Sequence, residues 1–165
     1  MKNSMKWSTV ALSALIAGGL AFSCTGKASS ESGQVTRGDL AAFAAGAGQS
    51  IGGHAQMVRR ADGTTLVTLQ ATGLHAGGRY ASHVHKQSCT NGDADGHFQQ
   101  NGPGAGTVPP NEIWLAGGPF VANAAGKVSV RATAEYRANA DAVSVVLHDL
   151  SLPATANKVA CANLA

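Results

Sequence analysis

Aromatic and charged side chains are both scarce in this sequence. Phe, Trp and Tyr make up 5% of the 165 residues, and Asp, Glu, Lys and Arg 13%. No basic stripe runs along the chain, and so few rings give no platform on which bases would stack. A nucleic-acid partner is therefore not expected. The formal net charge of +3 includes Lys2 and Lys6, so the rest of the chain carries only +1. Long apolar runs are missing too: "STVALSALIAGGLAFS" (8–23) is too short, and too rich in Gly and Ser, for a permanent membrane span. No internal repeat is present, which excludes an array of stacked units.

The apolar run follows "MKNSMKW", so residues 1–23 read as the basic and apolar parts of a secretory signal. Cys24 comes next, in "LAFSC", which resembles the lipobox of bacterial lipoproteins with Ala21 in place of the usual leucine. Lipidation of Cys24 is the favoured reading, and plain signal cleavage after "AFS" is the alternative. The cysteine count argues for lipid. Of three cysteines in an exported chain, lipid on Cys24 leaves Cys89 and Cys161 as one pair, for which export permits a disulfide. Residues 24–37, polar and rich in Ser and Gly, read as a flexible tether. The expected location is outside the cytoplasm, in the periplasm or cell envelope, with the membrane as a partner through the lipid.

A β domain is expected over 38–165. "KVSVRATAEY" puts Val128, Val130, Ala132, Ala134 and Tyr136 on one face and Ser129, Arg131, Thr133 and Glu135 on the other. A period of two with one apolar face means a strand covering a core. "TTLVTLQA" (64–71) and "AVSVVLHDL" (142–150) are further strands, and Asp62-Gly63 marks a hairpin turn. "NAAG" (123–126) marks another turn. "LAAFAAGAG" (40–48) fits either a short helix or a strand interrupted by glycine. These short strands and 21 glycines suggest an antiparallel sandwich or barrel. The segment 86–114 has few strand signals, and a connection that long is usually functional.

Histidine is the informative residue. On a strand, residues two apart point the same way, so His83 and His85 share a face while Val84 points to the core. Alone, such a pair is commonly two surface histidines. His97, in the long segment, and His148, opposite in alternation to Val145 and Leu147, add two more imidazoles facing away from the core. An all-imidazole set suits Cu(II), and also zinc.

The order of these motifs resembles the Cu,Zn superoxide dismutase family. "GLHAGGRYASHVHKQSC", "GHF", "VVLHD" and "KVACANL" follow one another as in that family, from about residue 51 to the C-terminus. The resemblance implies an all-β, eight-stranded Greek-key antiparallel β-barrel or sandwich. It implies that His83, His85 and His148 are copper ligands. His97 matches the imidazole that bridges copper to zinc and carries a proton. Cys89 and Cys161 match the family's disulfide. Lys158 stands where the family has an arginine that draws an anion to the copper, keeping the charge but losing the two-pronged grip. The activity implied is copper-dependent dismutation of superoxide to oxygen and hydrogen peroxide.

Two departures stand out. After "GHF" the family supplies two further histidines and an aspartate to zinc, whereas "QQNGPGAGTVPPNEIWLAGG" contains neither residue type. A zinc site is not expected, as in the copper-only members; Glu112, Asp93 and Asp95 are the carboxylates from which one would have to be improvised. The family's charged loop is also shortened: Cys161 follows His148 by 13 positions, so an open site is expected. Without zinc, Glu112 is a candidate to orient the remote nitrogen of His97, against the reading of a solvated loop glutamate. Asp149 would cap or orient His148, or be solvated. Trp114 reads as packing, and His54 and His75 as ordinary surface or half-buried residues. The alternative function is an exported copper-binding or copper-buffering protein with little turnover.

Overall fold

A computed structural model describes residues 32–165. The signal segment 1–23, Cys24 and the first part of the expected tether lie outside the described residues. Nine strands are present among them: β1 (Gln34–Asp39), β2 (Ala41–Ala42), β3 (Gly52–Arg59), β4 (Thr65–Thr72), β5 (Arg79–His85), β6 (Phe120–Val121), β7 (Val128–Ala134), β8 (Ser144–Asp149) and β9 (Lys158–Asn163). They form two antiparallel sheets, in the orders β1-β3-β4-β7 and β2-β9-β8-β5-β6.

The alternation read in the sequence explains the packing. In β7, Val128 is buried and Val130, Ala132 and Ala134 are half-buried, while Ser129, Arg131 and Thr133 are exposed. The core between the sheets takes Met57, Val67, Leu69, Tyr80, Val84, Val145, Leu147 and Val159. The β3–β4 hairpin turns at Asp62-Gly63, where the Asp62 carboxylate accepts from the Thr64 N–H (2.9 Å) and hydroxyl (2.7 Å). The ambiguous 40–48 stretch is both of its alternatives: β2, then a single 3₁₀ turn at Ala44–Gly46.

Two expectations need correction. The sheets are not closed by hydrogen bonding into one eight-stranded barrel; the architecture is a sandwich of four and five strands. The chain changes sheets between β1 and β2, where Gly38 lies so close to β9 that a Cβ would overlap the Asn163 carbonyl. On the far side, most of the β5 edge is met by loop segments rather than by a full strand. The second correction concerns the boundary. Residues 34–37, read as tether, are the start of β1, because this edge strand is largely exposed on both faces and shows no apolar alternation.

Cys89 and Cys161 are joined in a disulfide that spans 72 positions and ties the loop after β5 to β9. Closing a loop of that size removes much of the freedom of the unfolded chain. Replacing both cysteines with serine is expected to cost roughly 3–4 kcal/mol of stability. Urea unfolding of the variant measures this, and a change below about 1 kcal/mol would mean the loop is held by packing instead.

Candidate metal centre

On β5 the alternation sends Val84 into the core and His83 and His85 to the opposite face. On β8 it separates Val145 and Leu147 from His148 in the same way. His83 pairs in register with Val146, and Ala81 with His148, which makes His83 and His148 diagonal neighbours across adjacent strands. Their rings lie 4.4 Å apart, and the rings of His83 and His85 4.8 Å. A register irregularity between Leu147 and His148 brings His148 opposite Lys158 at the start of β9.

The long 86–114 segment completes the cluster by lying along the β5 edge in two short bridges. His97 sits opposite His85 and Trp114 opposite His83. Backbone bonds from Phe98 N–H to Val84 O (3.0 Å) and from Val84 N–H to Ile113 O (3.1 Å) hold these crossings. Side chains directly opposite one another share a face, so the loop delivers its imidazole and indole to the side that already carries the strand histidines. The His97 ring is 4.0 Å from that of His83 and 5.0 Å from that of His85.

The second ring nitrogens are engaged outside the cluster. His85 Nδ1 meets the carbonyl of Ala94, His148 Nδ1 the side-chain oxygen of Asn157 at 2.9 Å, and His97 Nδ1 the Glu112 carboxylate at 2.9 Å. A neutral imidazole that donates from Nδ1 must carry a bare lone pair on Nε2. His85 Nε2, His148 Nε2 and His83 Nδ1 are buried, and none meets a hydrogen-bond partner. Orphaned buried polar atoms are costly, and three in one cluster suit a Lewis-acidic ion that accepts their lone pairs. His83, His85 and His97 offer ligand atoms that all lie within 4.8 Å of one another.

Burial keeps these imidazoles uncharged. It lowers His83 far below the usual histidine range, with the neighbouring histidines and Lys158 adding to the effect. Burial also brings His85 down to about 3 and His148 to about 4, against the opposing hydrogen bonds to Ala94 and Asn157. Neutral imidazole is the form that ligates, and among the described residues, where Cys89 and Cys161 are joined, no thiolate competes. The donor set fits copper.

No protein-family model and no curated protein matches the chain. A solved structure, superoxide dismutase 5 of Candida albicans with Cu(II), matches at a TM-score of 0.49 and 15% identity, over 78% of this chain and 89% of that one.

The structure brings together His83, His85, His97 and His148, with Glu112 and Lys158 beside them. Glu112 is no solvated loop residue. It is 2% exposed, and besides His97 it accepts from Gln99 Nε2 (2.9 Å) and Trp114 Nε1 (2.7 Å). The Lys158 ammonium donates to the backbone carbonyl of Asp93 at 3.0 Å. Ala94, Val146, Cys161, Phe43 and Cys89 pack as a small second apolar cluster around the disulfide. His83, His85 and His148 are buried, whereas the His97 side chain is 37% exposed. Asp93 and Asp95 are exposed and do not join the histidine group.

Asp149 neither orients His148 nor faces solvent. It is buried and accepts from the Ser151 N–H and hydroxyl. Asn157 takes the orienting place instead, and nothing in the sequence distinguished it beyond its position before Lys158. Trp114 was expected to be packing, yet its ring lies 4.7 Å from His83 and its N–H reaches Glu112. His75 is exposed and His54 half-buried, both away from the cluster.

Proposed function

We propose that this chain is a copper-dependent superoxide dismutase that works outside the cytoplasm without a zinc site. The observation that carries the reading is the set of three buried imidazole nitrogens left without partners, joined by a fourth imidazole that a buried carboxylate orients. His83, His85, His97 and His148 would hold the ion. When bound, copper supplies a one-electron cycle in which one superoxide is oxidised to oxygen and a second is reduced, with two protons, to hydrogen peroxide.

The remaining work belongs to the side chains. Lys158 sets a positive charge beside the cluster and raises the local concentration of an anion. His97 is the imidazole that reaches solvent, and Glu112 fixes its Nδ1–H, so its other nitrogen is the one positioned to hold and return a proton. Glu112 occupies the nitrogen that a bridged zinc would need, which supports the copper-only reading. The Cys89–Cys161 disulfide supports an oxidising compartment. Export as a periplasmic or cell-envelope lipoprotein, anchored through Cys24, is part of the same proposal.

Superoxide dismutation by the full-length chain, loaded with copper alone or with copper and zinc, tests this. Copper alone is expected to suffice. Lys158→Ala is expected to slow the second-order rate by about 10-fold and flatten its salt dependence, with copper still bound. Turnover that requires zinc would overturn the copper-only part. Tight copper binding without turnover would move the chain to copper storage.

A further inference from the structure

Trp114 occupies an unusual place for a packing residue. One face of its indole lies against His83, with ring centroids 4.7 Å apart and planes inclined by 34°. Its Nε1–H donates to Glu112 Oε2 at 2.7 Å, and that same oxygen meets His97 Nδ1 at 2.9 Å. Trp114 also lines a cavity of about 270 Å³, together with Pro109, Ile113, Ala132 and Tyr136. A ring that merely filled space would be packed on all sides. This one is half-buried beside an open pocket, and its specific contacts are the bond to Glu112 and the ring of His83.

We propose that Trp114 is a positioning residue for the metal centre, a role that rests on the copper reading above. It acts on two ligands at once. Through its N–H it holds Glu112 Oε2 against His97 Nδ1, and through its ring it holds the His83 imidazole upright. A buried carboxylate keeps its orientation only while donors saturate it. Glu112 has three: Gln99 on Oε1, His97 and Trp114 on Oε2. Without the indole N–H, the carboxylate is free to turn and His97 loses its fixed partner.

Two variants of the full-length chain separate these effects. Trp114→Phe keeps a ring over His83 and removes the N–H; Trp114→Leu removes both. In the metal-free protein, ¹⁵N spectra of His97 should change from one fixed Nδ1–H tautomer to an average of two in both variants. Copper affinity, measured by competition with a chelator, is expected to fall about 10-fold in Trp114→Phe and further in Trp114→Leu. The Cu(II) electron paramagnetic resonance signal should broaden into more than one species. Thermal unfolding of Trp114→Phe shows whether the fold is retained. A Phe variant with an unchanged His97 tautomer and unchanged copper affinity would overturn the proposal and return Trp114 to packing. Wild-type protein that binds no copper would sink the functional reading instead, while the tautomer comparison would still decide the role of Trp114.

Discussion

His85→Ala is expected to remove high-affinity copper binding, and with it dismutation, while leaving the fold in place. The loss should exceed the roughly 10–100-fold typical of removing a residue that only orients a ligand, because a ligand itself is gone. His85 is fully buried, its Nδ1 is committed to the Ala94 carbonyl, and only Nε2 faces the cluster. Among the described residues no nearby side chain substitutes: Asp93 and Asp95 are exposed, and Cys89 and Cys161 are joined in the disulfide.

In the metal-free variant two terms oppose one another. Removing an orphaned buried nitrogen relieves about 1–3 kcal/mol. Losing the imidazole's packing and its bond to Ala94 costs a similar amount, so net stability should change by no more than about 2 kcal/mol. The variant therefore separates ligation from folding. Copper titration and thermal unfolding in chelator, run on the same preparation, make the measurement. Copper held with wild-type affinity would mean that the centre is built without His85.

The parts of this centre that were legible in the sequence are those whose direction follows from strand alternation. His83, His85 and His148 each sit in a run where one face is apolar, so the period of two placed all three on the opposite face before any fold was known. His97 and Glu112 were recognisable only as candidates, because their positions come from the bridges that the 86–114 segment makes along β5. Trp114 and Asn157 were not legible at all. Their roles exist only across tertiary contacts, Trp114 with Glu112 and His83, and Asn157 with His148, and their types and spacing are unremarkable in a loop. The same physics explains β1. An edge strand wet on both faces needs no apolar alternation, so "QVTRGD" has the composition of a tether and the conformation of a strand. The small apolar cluster around the disulfide was equally hidden, because it depends on Ala94 and Val146 meeting across elements.

Acidification should unfold the metal-free protein well before it affects the copper-loaded form. In the unfolded chain a histidine takes up its proton near pH 6.5. In the folded chain His85 resists protonation down to about 3 and His148 to about 4, chiefly because burial penalises the charged ring. Between these values the unfolded state binds more protons, so stability is complete above about pH 6.5 and falls as the pH drops toward the folded values. At about 1.4 kcal/mol per unit of displacement, the two histidines together put about 6 kcal/mol at stake by pH 4, a large share of the stability of a domain this size. Copper competes with protons for the same lone pairs, so loading the site should shift the loss to lower pH. Urea unfolding at a series of pH values, with chelator and with copper, makes the comparison. Metal-free stability that stayed level from pH 7 to about 4.5 would mean that the imidazoles are solvated in solution, and the buried cluster would lose its claim to be a preformed metal centre.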